Sequence, residues 1–275
     1  MKNEEKILMS IDIVVISVSS EEQENHRKNS KKMMSILLEK RTEEPFKDKW
    51  ALPGGLLDPK ETLASAAKKA LKKESNISNI YLEQLYTFDN LDRDPRGRVI
   101  STSYVALIDK NELKEKINSN VSWFDIISME EKNDIVEIIL TNGTETINFS
   151  IKKKLREKTT DRYEFYEYKN EYLAFDHTII ILSALERIRS KLNYTDIVFN
   201  MMPKYFTLGE LQQVYEVILG KKLLDPAFRR TISSKVKKTD QMKTDGAHRP
   251  SYLYTYNSDW WYNTNELQTL EILPQ

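Results

Sequence analysis

Residues 50–61, Trp50-Ala-Leu-Pro-Gly-Gly-Leu-Leu-Asp-Pro-Lys-Glu61, are the segment that says most about the fold of this chain. Their Pro-Gly-Gly triplet is typical of a turn. Asp58 is a favourable helix N-cap, a proline follows at the first helical position, and Glu61 stands three residues after the cap. Apolar residues then recur at helical spacing, at Leu63, Ala66, Ala67, Ala70 and Leu71. The sequence therefore predicts a turn followed by an amphipathic helix from Asp58 to about Ser75.

Segments rich in β-branched residues lie on both sides of this helix. The predicted strands cover residues 7–18, 34–39, 80–88, 99–108, 134–140 and 146–151. The last two flank Asn142-Gly143, a pair that favours a β-hairpin. Residues 152–172 are charged and aromatic without a clear period, so the sequence assigns them no element. Strands around a helix predict an α/β fold for this part of the chain.

The composition excludes several classes of protein. The 275 residues exceed the usual size of one domain, so we expect two. With 42 basic and 42 acidic residues the net charge is zero, and any nucleic-acid site must be a local basic patch. The absence of cysteine excludes disulfides, cysteine-ligated zinc and a thiol nucleophile. The longest apolar stretch, residues 11–18, already contains Asp12, and no signal peptide follows Met1. We expect a cytoplasmic protein without membrane contact.

The C-terminal third has the element order of a winged helix-turn-helix. Residues 207–210, Thr-Leu-Gly-Glu, predict a capping box, and Gly220 is a natural helix end. A second helix is predicted over residues 226–237, and residues 250–256 alternate like a strand. An earlier helix near Asp176 carries Ile181, Leu185, Ile188 and Leu192 at 4, 3, 4 spacing. That stripe predicts either packing within its own domain or a dimer seam.

A local basic face lies in the same region. Residues 221–249 hold nine Lys or Arg against three Asp, within a neutral chain. If Phe228, Ile232 and Val236 face the core, the opposite helix face carries polar and basic side chains suited to base edges and phosphates. The predicted DNA-binding residues are Arg229, Arg230, Ser233 and Lys237 on this helix and Lys238, Lys243 and Arg249 on the wing. A winged helix that contacts protein is the alternative, which the basic excess disfavours.

Residues 55–77 resemble the Nudix box, Gly-x5-Glu-x7-Arg-Glu-U-x-Glu-Glu-x-Gly-U, where U is bulky and apolar. The resemblance implies an α/β/α sandwich over about residues 7–150. Gly55 and Glu61 match the pattern, whereas Lys69 replaces Arg, Ala70 replaces Glu, Lys73-Glu74 replaces the Glu pair and Asn76 replaces Gly. In active members these glutamates hold divalent metal ions on a diphosphate. We therefore expect no catalytic residue and no metal site, so efficient hydrolysis is not predicted.

Arginines after the predicted third strand suit phosphate contacts. Residues 92–98, Asp-Arg-Asp-Pro-Arg-Gly-Arg, resemble a loop of ADP-ribose-processing Nudix proteins, and Arg41 stands where family members often meet a ligand phosphate. The predicted ligand-binding residues are Arg41, Gly54, Gly55, Arg93, Arg96 and Arg98. The alternative is a solvated hairpin whose charges balance one another.

Three longer segments resemble the Nudix-related transcriptional regulators, best known as repressors of NAD metabolism. They are residues 173–177 with 184–192, residues 206–220 with 228–230, and the sequence His-Arg-Pro-Ser-Tyr-Leu-Tyr at 248–254. The resemblance implies a homodimer, a palindromic DNA operator and an effector bound by an inactive Nudix domain. The effector is ADP-ribose in the NAD branch and arabinose in a sister branch, and the long insert at about 128–170 leaves the choice open.

The prediction is thus a Nudix sandwich followed by a winged helix-turn-helix. We expect a Nudix-like effector domain at residues 1–172, a linking or dimerisation helix at 173–200 and a DNA-binding domain at 201–275. The expected function is DNA-binding repression controlled by a phosphorylated ribose, with no cofactor. An ADP-ribose diphosphatase that uses Glu61 and Glu74 in an atypical metal site is the alternative.

Overall fold

A computed structural model describes residues 6–20, 32–75, 80–110, 119–155, 163–244 and 250–260. The first part of the chain contains β1 (Leu8–Ser20), β2 (Lys32–Lys40), β3 (Trp50–Ala51), β4 (Gly54–Leu56), α1 (Leu63–Ser75), β5 (Tyr81–Phe88), β6 (Val99–Leu107), β7 (Val121–Lys132), β8 (Ile135–Thr141), β9 (Thr146–Leu155) and β10 (Tyr163–Asn170). The second part contains α2 (His177–Lys191), α3 (Leu208–Leu219), α4 (Asp225–Ile232), β11 (Val236–Lys243) and β12 (Ser251–Tyr256).

One ten-stranded mixed sheet organises the N-terminal part. Its strand order is β10-β9-β8-β7-β2-β1-β6-β5, with β3 paired to β2 and β4 paired to β1. Strands β1 and β6 pair in parallel, and the other neighbouring strands of this sheet pair antiparallel. A Cβ at Gly54 would lie 2.1 Å from the Ile11 carbonyl oxygen. Only glycine lets β4 approach β1 this closely.

Two apolar cores lie on opposite faces of the sheet, as period-2 alternation in β1 requires. Ile11, Ile13 and Val15 pack with α1, whereas Val14 and Ile16 pack in the core that contains α2. The layers are therefore α/β/α, which confirms the predicted sandwich. No helix in the described ranges is both long and apolar enough to cross a membrane.

The helix that follows the Gly-Gly turn begins later than the sequence predicts. The Asp58 carboxylate accepts from the Lys60 N–H at 2.8 Å and closes a turn. The cap is Thr62, whose Oγ1 accepts from the Ser65 N–H at 3.2 Å, and α1 starts at Leu63. The predicted start at Asp58 is wrong because this local turn already satisfies the polar groups there.

The insert at 128–170 extends the sheet. The hairpin at Asn142-Gly143 is confirmed, with Thr141 opposite Thr146. The unassigned residues 152–172 contain the end of β9 and all of β10, and β7, which the sequence analysis missed, joins the insert to β2. Glu145 at the hairpin tip accepts from Trp50 Nε1 at 2.9 Å and pairs with Lys40 at 2.9 Å. These contacts hold the insert against the end of β2 and against β3.

The stripe on α2 packs inside the chain itself. Ile181, Leu185, Ile188 and Leu192 are all buried in the same core as the sheet. The structure thus favours packing within the chain over a dimer seam, since these side chains are already buried within one copy of the chain.

Helices α3 and α4 with the β11–β12 hairpin confirm the winged helix. Thr207 and Glu210 form the predicted capping box, and Gly220 ends α3 in a left-handed conformation at φ 67°. The predicted helix over 226–237 is too long: α4 ends at Ile232, a 3-10 turn covers Ser233–Lys235, and β11 starts at Val236. Val236 therefore packs from a strand.

Candidate functional site

A cavity of about 320 Å³ opens beside β1, β4 and the start of α2. Its wall includes five of the six predicted ligand residues: Arg41, Gly54, Gly55, Arg93 and Arg96. Lys73, at the end of α1, and Phe175, just before α2, line it as well. The fold thus brings five of the six predicted ligand residues to one cavity, while the ligand contact itself stays a prediction.

Arg41 is the cation of this wall that the fold compensates least. Its Nε donates to the Pro45 carbonyl at 2.7 Å, and no carboxylate in the described ranges forms an ion pair with it. Burial and the neighbouring Arg96 lower the pKa of the Arg41 guanidinium from its usual value. An anion in the cavity would relieve both effects, because it would restore the stabilisation that water and a partner otherwise supply.

Phe175 separates this cavity from a larger groove of about 1350 Å³ along α2. Its ring lies 4.9 Å from the Arg41 guanidinium carbon and 5.7 Å from that of Arg96. Its backbone is left-handed at φ 52°, which is costly for an aromatic residue. The sequence analysis missed Phe175, since nothing in a lone Phe before a helix signals strain.

Arg93 is a buried structural cation. Its guanidinium donates to Asp12 at 3.1 Å and to both oxygens of Asp176 at 2.7 and 3.0 Å, and only 3% of its side chain is exposed. These bonds tie the 92–98 loop to β1 and to the start of α2. Arg93 therefore borders the cavity with its hydrogen bonds already directed at protein carboxylates.

Asp12, on β1, is one of the two carboxylates that accept from Arg93. Burial alone would raise its pKa, but the adjacent His177 and Arg93 and a hydrogen bond from Ser101 lower it to about 2. His177 Nδ1 accepts from the Leu52 N–H at 2.9 Å, while its Nε2 lies 3.4 Å from Asp12 without the alignment of a hydrogen bond. Since Nδ1 is an acceptor, we assign the proton to Nε2.

The three loop arginines thus do different things. Arg96 forms a two-point contact with Asp94 at 2.7 and 3.0 Å while lining the cavity. Arg98 does not line it: the guanidinium donates to the backbone carbonyls of Asp89 and Asn90 at 2.6 and 3.2 Å. The three predicted arginines therefore have different roles. Arg93 is a buried ion-pair partner, Arg96 lines the cavity, and Arg98 stabilises the loop through backbone carbonyls.

Of the two glutamates in the diphosphatase alternative, Glu61 is described, whereas the side chain of Glu74 lies outside the described residues. Glu61 is held by Lys69 at 2.6 Å, and Ala70 packs against the core on the α1 side. Across the described ranges no three His, Asp or Glu side chains come together as a metal site would need. A divalent cation prefers several carboxylate or carbonyl oxygens, and the absence of a metal site stays a prediction.

The winged helix presents a second candidate site. Phe228 and Ile232 bury one side of α4, and Phe228 packs edge-to-face on Tyr215 of α3 at 5.4 Å. Arg229 and Arg230 are exposed on the opposite side, and nothing in the described ranges forms a hydrogen bond or ion pair with their side chains. Phe206 adds a short bridge to Tyr254, the third strand typical of this fold.

The other predicted DNA-binding residues lie beyond α4. Ser233 is exposed and donates to the Arg230 carbonyl at 2.9 Å. On β11, Lys237 pairs with Asp259 at 2.6 Å, Lys238 covers the ring of Tyr252, and Lys243 pairs with Glu210 at 2.9 Å. Arg249 lies outside the described residues. The described members lie on α4, on the 3-10 turn that follows it and on β11, and their role remains a prediction.

Comparisons with known proteins match both parts of the chain. The NUDIX domain family matches residues 22–138, and the family described as NrtR DNA-binding winged helix domain matches residues 198–256. The ADPR responsive transcriptional repressor NtrR of Acinetobacter baylyi is 32% identical over 253 residues, 90% of this chain and 82% of the relative. The chain belongs to the Nudix-related transcriptional regulators.

Two further relatives frame this family assignment. A crystal structure of Shewanella oneidensis NrtR complexed with a 27mer DNA is 26% identical, with a TM-score of 0.65 and coverage of 92% of this chain and 94% of that one. An ADP-ribose pyrophosphatase of Methanocaldococcus jannaschii is 39% identical over only 79 residues, 29% of this chain and 47% of the enzyme. The relatives matched along most of the chain therefore include a repressor and an NrtR solved with DNA, and this chain is a transcriptional regulator of that family.

Proposed function

We propose that this regulator is a homodimer that binds a palindromic operator and represses transcription. In this proposal, ADP-ribose or a related phosphorylated ribose binds in the 320 Å³ cavity and controls the affinity for the operator. The observation that supports the proposal concerns Arg41, which lines the cavity together with Arg96 and Lys73. Its guanidinium donates to a backbone carbonyl and forms no ion pair with a carboxylate of the described residues. Guanidinium and ammonium groups bind phosphate oxygens with charge-assisted hydrogen bonds. A neutral sugar such as arabinose would bring no negative charge to Arg41.

Helix α2 supports communication between the cavity and the DNA-binding part. At its start, Asp176 binds Arg93 and Phe175 lines the cavity. At its end, Arg189 Nε donates to the Ile218 carbonyl in the last turn of α3 at 2.9 Å, and the Lys235 ammonium donates to the Thr195 carbonyl at 2.6 Å. A 15-residue helix spans about 22 Å, so a single rigid element reaches from one site to the other.

The proposal is tested by titration calorimetry with ADP-ribose and by gel shifts on the upstream region of the chain's own gene. We expect ADP-ribose to bind and to change operator affinity by about 1–3 kcal/mol, the usual scale of such coupling. Arg41→Ala should weaken ADP-ribose binding about tenfold or more, since it removes a charged hydrogen-bond donor.

Arg98→Ala is the matched control for Arg41→Ala, because Arg98 is a nearby arginine outside the cavity wall. We expect it to bind ADP-ribose like the parent protein. Equal affinities of the two variants would contradict the assigned site, and absence of heat with ADP-ribose would favour a sugar effector.

We further propose that the Nudix part does not hydrolyse its ligand. With Mg²⁺ or Mn²⁺ present, we expect negligible conversion of ADP-ribose to AMP and ribose 5-phosphate, followed by chromatography. The reason is that Ala70 and Lys73 replace two of the glutamates of the Nudix box, while Glu61 is paired with Lys69. Turnover near roughly 1 s⁻¹, at the low end of ordinary enzymes, would instead support the diphosphatase alternative.

A further inference from the structure

We propose that the Lys73 ammonium takes the place of a divalent metal ion in the cavity, so that a diphosphate-bearing effector binds without Mg²⁺. The inference rests on the proposed function, since it concerns the same ligand and the same cavity. It goes further in two ways. It names a residue that recognises the ligand and is not among the six predicted ligand-binding residues, and it states that binding requires no divalent metal ion.

The position of Lys73 carries the first step. It lies in the last turns of α1, three residues after Ala70, and lines the cavity together with Arg41, Gly55 and Arg96. Lys72, its neighbour, is exposed but is not part of that wall. Helical geometry turns adjacent residues about 100° apart, so one lysine of the pair faces the cavity and the other faces away.

Four carboxylates line the cavity, those of Asp12, Glu39, Glu43 and Asp94, and the two that are paired with arginines carry the second step. The Asp12 carboxylate accepts from Arg93 and Ser101, and the Asp94 carboxylate accepts from Arg96. Glu61 is neutralised by Lys69 at 2.6 Å. Acidic groups that already serve as ion-pair partners are weak candidates for Mg²⁺ ligands, since each would have to give up its cation first.

The charge of the wall carries the third step. Arg41 and Lys73 are cations that line the same small cavity, and like charges repel one another. A divalent ion beside them would meet this repulsion, whereas a diphosphate would be attracted. Lysine is a compact phosphate binder, and its single charge needs no particular coordination geometry.

The experiment compares ADP-ribose affinity of the full-length protein in EDTA and in Mg²⁺ by titration calorimetry. We expect the two dissociation constants to agree within about twofold. A gain of tenfold or more with Mg²⁺ would overturn the inference while leaving the proposed effector intact. Absence of ADP-ribose binding in both buffers would overturn the proposed function and this inference together.

Variants of the two adjacent lysines assign the effect to one side chain. We expect Lys73→Ala to lose about tenfold in affinity in both buffers, and Lys72→Ala to match the parent protein. Lys73→Glu, which restores the carboxylate of the Nudix box, should lose binding in EDTA and recover part of it in Mg²⁺. Equal affinities of Lys73→Ala and Lys72→Ala would overturn the inference, and thermal melting checks that all three variants are folded.

Discussion

Replacing Arg93 by alanine should lower the free energy of unfolding by about 3–5 kcal/mol at pH 7. The guanidinium is 3% exposed and neutralises Asp12 and Asp176, whose side chains are 10% and 12% exposed. Removal of one partner of a buried ion pair leaves uncompensated charge in a region of low dielectric, which is the costly case. Since the network joins β1, the 92–98 loop and α2, the loss should appear in the cooperative unfolding of the Nudix part.

The pH dependence of this deficit follows from Asp12. Its folded pKa of about 2 lies below the usual 3.8, so its carboxylate stabilises the fold above pH 4, and this contribution is lost as the pH falls toward 2. In the variant the lost cation lets the pKa of Asp12 rise. Protonation then removes the need for a partner, and the difference between parent and variant should shrink from pH 7 to pH 4.

Urea unfolding followed by circular dichroism at both pH values measures this effect. Arg98→Ala, on the same loop but bonded only to backbone carbonyls, is the control and should cost less than about 0.5 kcal/mol. Arg93→Met keeps the apolar stem if the alanine variant does not fold, and adding Asp12→Asn should restore part of its stability. An Arg93 variant as stable as Arg98→Ala would refute the buried network.

Sequence patterns predicted the parts of the fold in which one local cause dominates. The Thr207–Glu210 capping box, the Gly220 helix end and the Asn142-Gly143 hairpin are each set by a few neighbouring residues. The start of α1 was misplaced because Asp58 and Thr62 both offer an N-terminal cap, and only the packed turn decides between them. Strand β10 was not predicted because its aromatic and charged residues do not alternate regularly, so neither face is continuously apolar.

The candidate cavity was harder to predict than the fold. Arg93, Arg96 and Arg98 look equivalent in sequence, yet their roles depend on partners far along the chain, such as Asp176 for Arg93. Phe175 and Lys73 reach the cavity only through the packing of α1 and α2 on the two faces of the sheet. The spacing of charged residues can therefore indicate an anion-binding site. Whether a given arginine forms a structural ion pair or contacts the ligand can be decided only from the tertiary structure.

The double variant Arg229→Ala, Arg230→Ala should lose most operator affinity. Both side chains project from the exposed side of α4, whose other side is fixed by Phe228 and Ile232. An arginine that reads a guanine edge contributes about 1–3 kcal/mol, and one that contacts a phosphate adds about one unit to the salt slope. We expect a loss of at least tenfold, weaker discrimination between operator and random DNA, and a flatter dependence on salt.

Gel shifts at two salt concentrations on the upstream region of the gene test this expectation. Lys152→Ala, Lys154→Ala is the matched control, because it removes two exposed positive charges from β9 and leaves the winged helix intact. In a homodimer two copies of α4 would enter successive major grooves, so half-sites about 10 bp apart or a multiple of this are expected. Lys243→Ala, on the wing, should instead weaken all DNA sequences alike. If the folded double arginine variant binds as tightly as the control, α4 is not the recognition helix.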